Sequence, residues 1–223
     1  MRDLREKLAE KSSMSRAAID RAADEAATEP ELFGELLSLL DDGHTTVTWH
    51  AAWALEKIAA RSPELFAAHR ADLTARAVAE RHSGIQRLLL SILRYMPEEA
   101  EPDVDLLDFC LGGIFSARLS IASRSLCGKI AYSLCRRHEE LREELRAYME
   151  SVDDECLPTA VASVRRNILK RLNKQNRCSP TAEGGTSLRA SCSPPRGVAA
   201  NCRHRVAMSK NHTEYFADKK LNR

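Results

Sequence analysis

The chain has 223 residues, 43% hydrophobic and 5% aromatic, with 34 Lys/Arg against 32 Asp/Glu for a net charge of +2. That length can bury a substantial core, but no stretch reaches the ~18 consecutive apolar residues of a membrane span, and the charged opening Met1-Arg2-Asp3-Leu4-Arg5 lacks a secretory signal core. Charge is split along the chain: residues 1–174 carry 25 Lys/Arg and 29 Asp/Glu, a net of −4, whereas residues 175–223 carry 9 and 3, a net of +6. A strong electrostatic case for nucleic acid needs the basic excess on the folded part, and it is absent there; without a span or signal core, a cytoplasmic protein with no membrane partner is the default expectation.

In chain order, residues 2–12 predict a short charged helix. A second follows Ser13-Met14-Ser15 and presents a slim face of Ala17, Ala18, Ala22 and Ala26 through Ala27. Both fall before the repeat described below and are expected to form an N-terminal helical cap over 1–27 that shields its first copy. Thr28-Glu29-Pro30-Glu31 reads as a helix start, with Thr28 as N-cap, Pro30 in the first turn and Glu31 at the capping-box position. That helix carries Leu32, Phe33, Leu36, Leu37, Leu39 and Leu40 and stops at Asp41-Asp42-Gly43.

Residues 47–58 form an amphipathic helix, prolonged to about Arg61, and its pattern returns every 38 residues. Val47 steps to Ile85, Ser123 and Val161; Ala54 steps to Ile92, Ile130 and Ile168; Ile58 steps to Met96, Leu134 and Leu172. A fixed period of this size marks a stacked array of helix pairs. Ser62-Pro63-Glu64-Leu65 opens the second pair, with helices near 70–82, ended by Ser83-Gly84, and near 85–96. Pro97 and Pro102 bound a linker. The third pair is expected at 103–115 and 120–137, the fourth at 139–151 and 157–173. Gly112-Gly113 reads as a weak or close-packed helix position, since no phosphate-loop spacing surrounds it. After Lys174 the periodicity ends; the basic tail 175–223 reads as disordered, with a non-native extension as the other reading.

The spacing of Val47, Thr48, Ala51, Ala52, Ala54, Leu55 and Ile58, followed by Ser62-Pro63-Glu64-Leu65, resembles the HEAT repeat over about residues 28–174. The resemblance implies an all-α fold, a right-handed α-solenoid (α–α superhelix) of about four helix pairs. The whole is similar to small bacterial HEAT-like helical-repeat proteins, some labelled adenylosuccinate lyase. That lyase's Ser-Ser-x-Met-Pro loop is absent from this sequence, so no lyase activity is expected.

At 100° per residue, Val47, Ala51, Ala54, Leu55 and Ile58 share one arc, and Trp49, Trp53 and Glu56 face away from it. In HEAT solenoids the second helix of each pair lines the concave groove, so the resemblance places those three there. Steps of 38 add Arg87, Arg94, Lys129, Tyr132 and Lys170. Aromatics among cations can anchor an acidic peptide or stack bases and meet phosphates. The expected function is a non-catalytic scaffold for a protein or peptide partner, with nucleic-acid binding as the alternative. For that alternative, Trp49, Trp53 and Glu56 more distantly resemble the aromatics and carboxylate of the helical-repeat DNA alkylation-repair glycosylases.

No catalytic residue, cofactor or metal is expected. The His residues show no HExxH, and His50 reads as a solvated side chain beside the groove. Seven Cys without CxxC spacing read as reduced, with Cys110, Cys127, Cys135 and Cys156 as small buried hydrophobes. Cys178, Cys192, Cys202, His204 and His212 match no zinc-finger spacing. The acidic stretches 98–108 and 139–155 read as solvated caps and linkers.

Overall fold

The structure, a computed structural model, describes residues 4–9 and 15–178, with side chains through Lys174. The tail expected over 175–223 lies outside the described residues, apart from four whose backbone continues the last helix.

Among the described residues, ten α-helices are joined by turns and short 3-10 segments, and no strand occurs. The helices are α1 (Leu4–Ala9), α2 (Arg16–Thr28), α3 (Pro30–Ser38), α4 (Thr45–Ala59), α5 (Arg70–Ala79), α6 (Ser83–Tyr95), α7 (Val104–Ile114), α8 (Ile121–Cys135), α9 (Glu139–Glu150) and α10 (Thr159–Cys178). No helix among the described residues is long and apolar enough to cross a membrane.

The architecture is the expected all-α solenoid of four helix pairs behind an N-terminal helical cap. Its backbone is a row of second helices: α4 packs on α6, α6 on α8 and α8 on α10, and α2 extends the row beyond α4. Thr45, Ser83, Ile121 and Thr159 open the four second helices, each 38 residues after the last. The first helices α3, α5, α7 and α9 form the other layer and begin at uneven intervals. The period therefore lives in the row, where each helix must keep register with its neighbours, while turns of different length absorb variation in the other layer.

One continuous core runs from Leu4 and Leu8 through Leu55, Leu90 and Ile130 to Leu172. Ile19, Ala23 and Ala26 of α2 are buried within it, closing the N-terminal end. Small residues let the row close up: at Gly128 of α8 an added Cβ would stand 2.9 Å from Val164 Cγ1 of α10. Gly113 is likewise close-packed, with Leu119 Cδ1 2.8 Å from where its Cβ would be, whereas Gly112 faces open space. The first-helix layer is pinned by aromatics. Phe33 meets Phe66 edge-to-face with ring centroids 5.1 Å apart; Phe115 meets Tyr148, whose hydroxyl donates to the Leu111 carbonyl at 2.7 Å. Burial pushes the Tyr148 hydroxyl up to about 12.

Several local expectations are corrected. Thr28 is not the N-cap of α3: it ends α2, its hydroxyl donates to the Glu25 carbonyl, and Glu29 stands at the cap without a side-chain bond. Ser62 makes no cap bond either, and residues Pro63–His69 wind as a 3-10 helix before α5. Ser83-Gly84 opens α6 rather than ending α5, because the His82 ring accepts from the Ile85 N–H and so caps the new helix. The final helix runs to Cys178, beyond the expected 173.

The acidic stretches also do more than face solvent. Asp103 caps α7 through the Leu106 N–H and accepts from Thr74 Oγ1 of α5 at 3.0 Å. Glu98 accepts from Ser133 at 2.7 Å and from Arg136 at 2.6 Å. Burial raises the Glu98 carboxyl, but these hydrogen bonds and the nearby Arg137 outweigh that and hold it below its ordinary value. Hydrogen bonds lower Asp41 through Arg76, Asp42 through Arg5 and Asp154 through Arg166 and Arg165, against a smaller opposing effect of burial. Carboxyls depressed on folding contribute stability above their unfolded values, about 3.9 for Asp and 4.3 for Glu, and lose it as pH falls through the folded values. Urea midpoints should therefore stay level from about pH 7 to 5 and drop below about pH 4. Glu98→Gln should shrink that acid-side drop, and an unchanged drop would remove Glu98 from the account.

Candidate binding face

Because α4, α6, α8 and α10 lie side by side and start 38 residues apart, residues separated by 38 hold equivalent positions in the row. The rungs that start at Trp49, Trp53 and Glu56 make up the candidate face, which mixes exposed and half-buried side chains.

Trp49 is the most exposed aromatic of the set, at 40%. Its ring stacks on Trp53, one turn on, with centroids 6.2 Å apart and planes 20° apart, and on the His50 ring at 5.4 Å. The i,i+4 spacing on one helix brings the indoles together. Gly84, at the start of α6, lies beside Trp49: a Cβ there would meet the indole Nε1 at an ordinary 3.8 Å and the His82 ring at a tighter 3.1 Å. Trp53 is half-buried against the core.

Glu56 is half-buried and accepts from Ser91 Oγ of α6 at 3.1 Å, so its carboxylate ties two row helices together. Tyr132 of α8 is also half-buried, with the Arg171 guanidinium 5.5 Å from its ring centre, within cation–π reach. Arg87, Arg94, Lys129 and Lys170 are exposed. Among the described residues, no ion pair involves any of these four; Arg94 only lies over the ring of its neighbour Tyr95, at 5.3 Å. Many arginines elsewhere are matched: Arg76 to Asp41, Arg61 to Asp24, Arg70 to Glu99, and Arg165 and Arg166 to Asp154. Of the residues predicted for the groove, then, Trp49 and Trp53 meet directly, Glu56 and Tyr132 are held by adjacent helices, and four cations remain without carboxylates.

Sequence reasoning passed over Arg171, which covers Tyr132. It lies one residue beyond Lys170, on a rung with Lys57, Tyr95 and Ser133, so extending the 38-residue steps by one position would have found it. His50 is a correction. It is 5% exposed, and its Nδ1 lies 2.7 Å from the Leu8 carbonyl, so Nδ1 carries the proton and donates. The reason is tertiary: α1 docks on α4 and covers the ring.

A polar rung runs inside the core as well. At positions 48, 86 and 124 stand Thr48, Gln86 and Arg124, each buried. Gln86 Nε2 donates to the Ala77 and Glu80 carbonyls, and Arg124 Nε donates to the Ile114 carbonyl at 3.0 Å. These bonds satisfy carbonyls at the ends of α5 and α7 that no helical N–H can reach. In the fourth pair Ala162 takes this rung, and Arg165, three residues on, donates to the Met149 carbonyl of α9 instead.

An open cleft of about 380 Å³ sits at the junction of the first two pairs, lined by Leu40, Thr48, Arg76, Arg81, Ile85 and Leu89 among others. No group of three or more His, Cys, Asp or Glu that could hold a metal ion occurs among the described residues. Cys110, Cys127 and Cys135 are buried, and burial pushes the Cys135 thiol up to about 12, whereas Cys156 is exposed. Of the residues weighed for zinc, Cys192, Cys202, His204 and His212 lie outside the described residues, as does the side chain of Cys178.

Compared with known proteins, a family model for the HEAT repeat domain matches residues 4–172. No curated protein and no solved structure gives a match.

Proposed function

From the premise that the chain belongs to the HEAT repeat domain family, we propose that it is a non-catalytic scaffold whose row of second helices binds a protein or peptide partner. Repeats of this family typically mediate protein interactions. The observation that carries the reading is the exposed Trp49, stacked on Trp53 and sharing a face with Arg87, Arg94, Lys129 and Lys170. Exposed Trp beside Arg is what protein-binding hot spots are enriched in. Glu56 serves here as a strut between α4 and α6, and no residue is assigned a catalytic role.

The same aromatic and cationic side chains favour one second reading, a nucleic acid stacked on the indoles. Trp49 and Trp53 are the only tryptophans in the chain, so intrinsic fluorescence reports on this face. Single- and double-stranded DNA and RNA should leave the emission unchanged at about 150 mM salt. Quenching that weakens steeply as salt rises would overturn the protein-partner reading in favour of nucleic acid.

A further inference from the structure

Resting on the protein-partner reading of the same face, we infer that the partner segment is acidic and carries an apolar anchor at one end. The face is polarised along the row. At the α4 end lie the stacked indoles of Trp49 and Trp53, with Glu56 already held by Ser91. Toward α10 the rungs become cationic: Arg87 and Arg94 on α6, Lys129 on α8, Lys170 on α10. None of these cations has a carboxylate partner within the described chain, although residues 1–174 hold an acidic excess of 29 to 25. Carboxylates that pair arginines elsewhere do not reach this side, so the charge is left for a ligand.

An acidic segment complements it; the basic tail of this chain does not, since it carries 9 Lys/Arg against 3 Asp/Glu. Four spaced cations on an otherwise acidic body suit a short run of carboxylates better than a continuous phosphate backbone. Neighbouring helices pack at about 8–10 Å, so three steps span roughly 27 Å, the reach of about eight extended residues. The apolar anchor then sits on the Trp49–Trp53 stack and the acidic run crosses α6, α8 and α10.

The test selects a random 12-residue displayed peptide library on the full-length protein, then measures synthetic winners by fluorescence anisotropy. Enrichment of peptides with several Asp or Glu and an aromatic or aliphatic residue at one end is expected. The triple variant Arg87→Glu/Lys129→Glu/Lys170→Glu, whose native-like circular dichroism is checked first, should weaken those peptides by roughly 10- to 100-fold. Trp49→Ala should weaken anchored peptides but not anchor-free acidic ones. Winners without acidic enrichment that bind wild type and triple variant alike would overturn the acidic inference while leaving a protein partner standing. An oligonucleotide of matched charge that binds more tightly than every winner would overturn both. No enrichment on wild type would overturn the inference.

Discussion

Leu90→Ala should lower the stability of the whole array by about 2–5 kcal/mol, and Leu172→Ala, the same deletion at the same burial, should not. Both leucines are 0% exposed. Leu90 belongs to α6, which packs on α4 at one side and α8 at the other, so a cavity there weakens the link between the halves of the row. Leu172 lies in α10, which ends the described row and packs chiefly on its own pair and on α8. In a quasi-one-dimensional array each unit feels its nearest neighbours, so the terminal helix can fray while the rest stays folded. Urea denaturation followed by circular dichroism and by tryptophan emission separates the cases, because both tryptophans sit in α4. For Leu90→Ala the two signals should shift together to lower urea. For Leu172→Ala circular dichroism should gain an early step while the emission midpoint holds. Equal shifts of both signals in both variants would show an undivided cooperative unit.

The next largest effect is expected at Arg124, which is 8% exposed and gives its Nε–H to the Ile114 carbonyl at the end of α7. Arg124→Met keeps most of the volume and removes the donor, leaving a buried carbonyl unpaired. The cost should be about 1–3 kcal/mol. Arg124→Gln places at this rung the side chain that serves the same purpose at position 86, and should recover part of the loss. Thermal melts of the three proteins decide it. If methionine melts with wild type, water already serves that carbonyl and the inner polar rung is not structural.

The repeat array was legible in the sequence because its signal is periodic and local. A second helix in the row needs apolar residues on one arc to meet its neighbours, and stacking at constant register forces that arc to recur at constant spacing. Val47, Ile85, Ser123 and Val161 duly recur as buried residues of four helices whose starts are 38 apart. The rungs of the candidate face are read from the same 38-residue spacing.

What the tertiary structure decided are matters that depend on residues distant in the chain. His50 has no local reason to be buried; α1, about 40 residues earlier, covers it and offers the Leu8 carbonyl. Gln86 and Arg124 look like polar errors inside an apolar arc until the open carbonyls of α5 and α7 arrive beside them. Helix starts were misread at Thr28 and Ser83 because several residues there have capping chemistry, and packing of the adjoining helices selects among them. Glu98 reads as a solvated acid and Glu56 as a groove carboxylate, yet both are struts for the same reason, through Ser133 and Ser91 on the next helix of the row. Periodicity encodes which face is apolar, since that depends on one helix alone. Which polar group is satisfied, and which cation is left unmatched, is a property of two surfaces brought together, and only the folded chain fixes it.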